Sequence, residues 1–565
     1  MCGIAGIMMR GGAPPDPAVL DRLQAALAHR GPDGARQLVR GDVGLVHLRL
    51  SIVDLETGDQ PLYGPDGSAL IANGEIYNDP DLRTRMLCTR FNTRSDCEPA
   101  VFLYAREGDG YADELRGMYA IAIHDSARDR LVLSRDPFGI KPLYTMTTDR
   151  FFAFASEPQA LVAAGLAVPG ERLHARSELL KRKYTSGADT IYPGIQRVLP
   201  GETVVVEGGT IVSRRVRPAL PEGPLVPIAH ADALQKLDAV LLNSVTAHLR
   251  SDVPYGLFLS GGIDSSALLA LMRRATGTRV RVLTVGWEGG GAVDESAEAE
   301  RLAGVMGADC HRLAMTERDF WTLAPRIAAA IDDPTADAAV LPTWMLGRAA
   351  RADGLKVTLC GEGADELFGG YSRYRRQRMP WRWIARTPPG DRTDGRTRMQ
   401  RAQAADIAEW LPNDLLTKLD RCLMAHGVEG RTPFLDPLVA EFAFRLPDRE
   451  KASLRYGKTL LRDWLAGTFP EAGAYARKKG FKPPVGAWIA ARTGTLVELV
   501  SEHPAIRSVV GRAAVRARLE RAASDPQPAW SLLFYALWHS RHVLAIDSSG
   551  DVAEVLSAAR AMASP

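Results

Sequence analysis

The sequence predicts an α+β domain of antiparallel sheet followed by an α/β domain built on a parallel sheet. Three observations carry this. At 565 residues the chain is longer than a single core usually supports. Up to about residue 205, short apolar runs at 43–47, 69–72, 119–124, 130–134 and 151–155 alternate with turn signals, as antiparallel strands do. From near residue 230 the texture changes. Helix-like stretches at 232–248 and 265–275 interleave with strand-like runs at 255–259, 280–285 and 356–360, and strand-then-helix repetition implies parallel βαβ units. The stretch 214–227 is rich in Pro and basic residues and reads as a linker. The expected boundaries are a first domain at 1–205, a linker at 206–230, a second domain at 231–545 and a C-terminal tail at 546–565.

Composition is that of a globular protein, with 46% hydrophobic and 24% charged residues. Seventy Lys+Arg against 67 Asp+Glu leave a formal charge of +3, which gives no reason to expect nucleic acid or an anionic membrane as partner. Cys2, Cys88, Cys97, Cys310, Cys360 and Cys422 lack metal-ligand spacing and the density of a disulfide scaffold. Free thiols in a reducing compartment are the expectation. The N-terminus lacks a basic signal-peptide lead, and no run approaches the roughly 18–20 apolar residues of a membrane helix. These features lead us to expect a cytoplasmic protein with no membrane partner.

On position alone, Cys2 is a small apolar residue entering a first strand. Exposed by removal of Met1, it would carry a thiol and an α-amine whose reference pKa lies near 7.7–8.0. Such an amine can serve as general base for its own thiol, the arrangement of N-terminal nucleophiles. The surrounding chemistry favours this role. Arg49-Leu50-Ser51-Ile52 supplies a guanidinium suited to a carboxylate. Asn73-Gly74-Glu75-Ile76-Tyr77-Asn78 combines an amide, a turn and an acid, and Ser95-Asp96 adds a second acid. Asn73 and the Gly74 amide are candidate donors to a tetrahedral oxyanion.

Taken in order, Met1-Cys2-Gly3-Ile4, His29-Arg30-Gly31-Pro32-Asp33, Arg49-Leu50-Ser51-Ile52, Asn73 to Asn78, Arg94-Ser95-Asp96 and Arg135-Asp136-Pro137-Phe138-Gly139-Ile140-Lys141-Pro142-Leu143 resemble class II glutamine amidotransferases. The resemblance implies an α+β N-terminal-nucleophile sandwich, antiparallel sheets with helices. It implies Cys2 as nucleophile, with Asn73 and Gly74 as the oxyanion hole. Glutamine would be held by Arg49, Leu50, Ser51, Ile52, Val53, Asn73, Gly74, Glu75 and Asp96. The segment from Arg135 to Leu143 is expected to be structural, near the domain interface.

In the second half, Leu259-Ser260-Gly261-Gly262-Ile263-Asp264-Ser265-Ser266 follows an apolar strand and opens an apolar helix. Its glycines let backbone approach phosphate, and its hydroxyls and amides are donors at a helix N-terminus. No Walker lysine follows the glycines, so the loop resembles those of enzymes that release pyrophosphate and adenylate a substrate. Cys360-Gly361-Glu362-Gly363-Ala364-Asp365-Glu366 lies just past a strand, where open α/β sheets place ligand loops. Its acids suit Mg²⁺, which binds through one or two carboxylates plus phosphate oxygens. Glu366 reads instead as an acid complementing a helix N-terminus. Lys458, in Tyr456-Gly457-Lys458-Thr459, could neutralise charge developing on a phosphate.

Together with the segment Met424 to Asp436, these resemble the synthetase domain of glutamine-hydrolysing asparagine synthetases, so the second domain is expected to be an α/β parallel-sheet adenylating domain. The resemblance spans roughly residues 1 to 490. It implies ATP as co-substrate at Leu259, Ser260, Gly261, Gly262, Asp264, Ser265, Ser266, Val285, Cys360 and Gly361, with Mg²⁺ at Asp264 and Asp365. Glu362 would assist acyl-adenylate formation and Lys458 would sit on its phosphate. The substrates implied are glutamine, ATP and aspartate or another carboxylate (a peptide, sugar acid or natural product). A homodimer is one possible assembly. Cys360 and Ala364 stand where the family often has serine, and Gly430 where alanine is commoner. The Arg-rich run 371–401, with Trp381 and Trp383, reads as a solvated lid or insertion rather than a nucleic-acid patch. Two other readings are a sugar-phosphate amidotransferase sharing only the first domain and a non-catalytic binding protein. The loop at 260–266 argues against the one, and intact chemistry in both halves against the other.

Overall fold

The computed structural model describes residues 2–87, 89–288, 294–377, 395–476 and 483–562. Met1, Cys88 and most of the Arg-rich run, including Pro380, Trp381, Trp383, Pro388 and Pro389, lie outside them. The first domain contains two six-stranded sheets. One runs Ile195–Arg197, Tyr144–Thr147, Phe151–Ala155, Gly3–Met9, Val43–Arg49, Gly34–Arg40. The other runs Thr210–Val216, Glu202–Glu207, Arg130–Arg135, Gly117–Asp125, Ala69–Ile76, Leu62–Tyr63. Their paired strands are antiparallel.

The two-residue period of the first strand explains the layering. Ile4 and Met8 point to a core shared with Ile71, Ala120 and Leu133 of the second sheet. Ala5 and Ile7 point the other way, to Leu20 and Leu23 of helix Pro17–Ala26. The outer face of the second sheet is covered likewise, where Val101 and Tyr104 of helix Glu98–Glu107 meet Leu70, Ala72 and Ile121. The result is a helix–sheet–sheet–helix sandwich, as expected, with the strand after Cys2 in the middle of its sheet. Gly6 is required there, because a Cβ would collide with the ring of Phe154.

The second domain is built on a five-stranded parallel sheet in the order Asp309–Met315, Arg281–Trp287, Tyr255–Phe258, Val357–Leu359, Glu429–Arg431. From Tyr255–Phe258 the chain first builds outward on one side, through Arg281–Trp287 and Asp309–Met315. It then returns to add Val357–Leu359 and Glu429–Arg431 on the other. The order therefore switches between Tyr255–Phe258 and Val357–Leu359. Loops leaving a switch point diverge and open a crevice at the carboxyl ends of the strands. Those two loops carry Ser260 to Ser266 and Cys360 to Asp365.

Two expected boundaries change. The stretch expected to be linker from 206 contains strand Thr210–Val216, paired with Glu202–Glu207, so the sheet runs on to Val216. The expected tail contains helix Val552–Ala561, opened by a capping box of Asp551 and Glu554. It buries Val552, Val555, Leu556 and Ala559, a spacing of three and four that forms one helical face. Among the described residues no helix is long and apolar enough to cross a membrane.

A dry seam of charges joins the halves. Arg30 of the first domain contacts Glu157 at 2.7 Å and Asp420 of the second at 2.8 Å. Arg421 binds Asp332 at 2.7 Å and Asp420 at 2.9 Å. Arg431 pairs with Glu429 at 2.6 Å and, across the seam, with Glu75 at 2.9 Å. Arg30 and Arg431 are fully buried and Arg421 almost so, and removing one member leaves an uncompensated charge in a dry interior. Arg421→Ala is expected to cost about 3–5 kcal/mol, seen as a lowered melting temperature in a thermal scan. Arg85→Ala, which breaks an exposed pair with Glu114, should leave the melting temperature unchanged.

Candidate active sites

The front site forms where the first strand meets Ala69–Ile76. The backbone N–H of Cys2 donates to Asn73 Oδ1 at 3.0 Å, which orients the amide. Asn73 is fully buried and its Nδ2 has no hydrogen-bond partner among the described residues. An unspent buried donor is costly unless something else accepts from it, and an oxyanion formed at the Cys2 thiol would do so. Gly74 must be glycine, because a Cβ would strike the Met118 carbonyl. Burial pushes the Cys2 thiol up, so it would need a base to act as a nucleophile.

The other expected contacts of this site are placed unequally. Asp96 is buried, accepts from the Ile76 N–H at 2.6 Å, and is pushed up to about 6 by desolvation. Arg49 gives its guanidinium to Asp59 at 2.8 Å and to the Asp54 carbonyl. Glu75 turns to Arg431. Leu50 and Ile52 are buried, Val53 is half-buried, and the Ser51 N–H donates to Asp33 at 2.8 Å. The loop they form is pinned to the second domain, since the Asp252 N–H donates to the Ile52 carbonyl at 2.9 Å. Cys97 also belongs here, its thiol 3.9 Å from the Gly74 carbonyl. As one scattered cysteine among six it carried no signal in the sequence.

In the second domain, two cavities of about 270 and 380 Å³ share Ser260, Asp264 and Asp365. The first is lined by Leu259, Ser265, Val285, Cys360, Gly361 and Glu362, and the second by Gly261, Gly262, Lys458 and Arg462. Ser265 ties the loop together, its hydroxyl 3.1 Å from both Ser260 Oγ and the Gly262 carbonyl. Ser266 lines neither cavity; its hydroxyl is buried and has no partner among the described residues. Lys458 joins the motifs, with Nζ 2.6 Å from carboxylate oxygens of both Asp264 and Asp365. Burial pulls its pKa down, yet those two acids hold it above the usual lysine value. The residue is left-handed at φ 56°, ψ 41°, a conformation costing about 1–3 kcal/mol and kept where surroundings over-determine it.

Asp264 and Asp365 thus converge on one point, and two carboxylate groups beside a phosphate-sized cavity are a fitting donor set for Mg²⁺. Glu362 faces the first cavity, and its carboxyl is pushed up mainly by burial. Sequence reasoning missed Lys418 and Arg462 on these walls and Arg431 at the seam. The four-residue run Val428-Glu429-Gly430-Arg431 was visible, but its reach to Glu75 spans more than three hundred residues.

A family model described as asparagine synthase matches residues 236–540, and one described as glutamine amidotransferase domain matches residues 1–216. A protein of Bacillus subtilis named glutamine-hydrolyzing asparagine synthetase 1 is 28% identical, over 96% of this chain and 97% of its own. Glutamine-hydrolyzing asparagine synthetase B of Escherichia coli is also 28% identical, over 85% of this chain and 81% of its own. A protein of Penicillium rubens named amidase chyE is 31% identical over 63% of this chain and 56% of its own.

The raised Asp96 sets a pH signature. Its unfolded value is 3.8 and its folded value about 6, so the folded protein binds the extra proton between them. Stability therefore falls as pH rises through that window and is flat above it. Asp96→Asn should remove this slope and gain about 1–3 kcal/mol above pH 6. Thermal scans from pH 4 to 8 test it, and a pH-independent difference between the two proteins refutes it.

Proposed function

From the premise that this chain belongs to the asparagine synthase family, with a glutamine amidotransferase domain in front, we propose that it is a glutamine-dependent asparagine synthetase. The Cys2 thiol attacks the glutamine carboxamide, and its proton passes to the α-amine that removal of Met1 would expose. Asn73 Nδ2 and the Gly74 amide stabilise the oxyanion. Ammonia leaves, and water releases glutamate from the thioester. Asp96 takes the substrate ammonium, and Arg49 its carboxylate in exchange for present partners.

In the second domain the aspartate β-carboxylate attacks the α-phosphorus of ATP, forming β-aspartyl-adenylate and expelling pyrophosphate. Lys458 and Arg462 on the second cavity wall balance the departing charge. Asp264 and Asp365 would hold Mg²⁺, which when bound neutralises phosphate charge. Ammonia must cross between sites as NH₃, because NH₄⁺ has no lone pair. It adds to the acyl-adenylate, AMP leaves, and Glu362, raised by burial, is suited to take the proton lost by nitrogen. One observation carries this reading: a single ammonium, Lys458, grips both Asp264 of the glycine-rich loop and Asp365 of the acidic loop. The five cysteines among the described residues are all free thiols, which supports a reducing, cytoplasmic setting.

A second acceptor class stays beside aspartate, because a relative is named an amidase and a shared fold does not fix a substrate. Pyrophosphate release tested with aspartate decides; none with aspartate but release with another carboxylate assigns the second reading. Cys2→Ala should abolish glutamine-driven synthesis and leave synthesis from ammonia within about twofold. Loss of both would overturn the separation of the two sites. Lys458→Met should lower ammonia-driven kcat by about 10²–10³-fold, the usual cost of one transition-state donor, with glutaminase activity unchanged.

A further inference from the structure

The first cavity has one cationic side chain on its wall among the described residues, and no step above uses it. Lys418 lies in helix Thr417–Met424, is 6% exposed, and lines the cavity with Glu362, Thr343 and Leu415. No hydrogen bond or ion pair within 4.0 Å is made by its ammonium among the described residues. The acids that face it are Asp337, Glu362 and Asp414, and their field keeps the lysine charged against its burial. Two of them are engaged elsewhere. Asp414 accepts from Trp410 Nε1 at 2.6 Å and from the Thr335 hydroxyl, and Asp337 accepts from the Ala339 N–H at 2.9 Å. They hold the charge without covering it. Ala339, which precedes helix Val340–Ala352, and Thr343 in its first turns line the same cavity, so the positive end of that helix lies at this wall.

The position relative to Lys458 narrows the role. Lys458 and Arg462 line the second cavity, whereas Lys418 lines only the first. The two cavities meet at Ser260, Asp264 and Asp365, so the cations stand on the walls of two adjoining cavities. A cation clamped on the reacting carboxylate would be a poor design, because that carboxylate loses its charge as the adenylate forms. The contact would then stabilise the ground state more than the transition state. A carboxylate that takes no part in the reaction keeps its charge throughout.

Building on the synthetase reading above, we propose that Lys418 is the acceptor-specificity residue, its ammonium receiving a second, unreacting carboxylate of the acceptor. The acceptor class is then a dicarboxylate, of which aspartate is one member, and an acceptor lacking the second carboxylate is rejected. Such a contact is made equally in ground and transition states and acts on KM.

The test is pyrophosphate release driven by added ammonia, with aspartate, succinate and β-alanine as probes. β-Alanine is aspartate without its α-carboxylate, and succinate keeps both carboxylates without the amine. Wild type should prefer aspartate and succinate over β-alanine by about 10–100-fold in kcat/KM, the worth of one charge-assisted hydrogen bond. Lys418→Met should raise KM for the dicarboxylate by a similar factor with kcat within about threefold, and Lys418→Arg should restore most of it. Glutaminase activity and KM for ATP, unchanged in both variants, certify folding. Equal use of β-alanine and aspartate by wild type, or a loss in Lys418→Met confined to kcat, overturns the proposal. Turnover of monocarboxylates alone overturns it while the synthetase reading stands; release with no carboxylate, glutaminase intact, overturns that reading and this one with it.

Discussion

The arginines at the seam between the two halves govern how this chain can be assembled. Arg30, Arg421 and Arg431 are all but sealed from solvent, and a guanidinium cannot shed its charge to escape the cost of burial. Each is therefore tolerable only where acids meet it, and those acids come from both sides. Arg30 needs Glu157 and Asp420 together; Arg431 divides itself between Glu75 and Glu429. Sliding one half over the other would strand several charges at once. The front site inherits this registration. Arg30 Nε donates to the Cys2 carbonyl at 3.3 Å, and Glu75 follows Gly74 directly. The strand that delivers the thiol and the strand that delivers the amide donors are both held by groups whose other partners lie in the second domain.

Within the second domain the same economy of charge produces two unlike lysines. Lys458 is pinned, its ammonium within 2.6 Å of two carboxylates and its backbone forced into the left-handed region. Gly457 before it is needed because a Cβ would run into the backbone at Gly369 and Gly370. Strain there is sustained because helix Thr459–Thr468 and the loop at 360–370 both fix the position. Lys418 is the opposite case, a buried ammonium kept charged by a surrounding field but with no hydrogen bond or ion pair among the described residues. Parallel-sheet topology places both beside the same crevice, because strands added on either side of Tyr255–Phe258 leave their loops diverging.

Much of the site was legible because its chemistry is local. Cys2, Asn73 and Gly74, the loop at 259–265 and the pair Glu362 and Asp365 stand in short runs whose residue types announce donors, acids and close backbone approach. The structure adds that the first strand is covered on both faces, Ile4 and Met8 on one and Ala5 and Ile7 on the other. What failed was assignment of direction and partner. Ser266 follows Ser265 in the same motif, yet one turn of helix carries its hydroxyl into the interior. The partners of Glu75 and Arg49 were equally invisible: Arg431 meets the one, and Asp59 with the Asp54 carbonyl meets the other, so Arg49 must exchange them to receive a substrate carboxylate. The presumed linker was read from Pro and basic residues, whereas a strand at 210–216 is hydrogen-bonded at the sheet edge, and the presumed tail carries a helix whose face at 552–559 is buried.

Sequence alone determined the order of domains, their sheet types and the pairing of a candidate thiol at Cys2 with a glycine-rich loop at 259–266. Those follow from periodicity and from motifs a few residues long, where neighbours in sequence are neighbours in space. Tertiary structure decided which charges are spent and which are free. Lys418 and Lys458 are both lysines near a helix start. Only the folded arrangement gives one of them two carboxylates in contact and leaves the other facing a cavity, because a Coulomb interaction depends on distance and burial and not on separation along the chain.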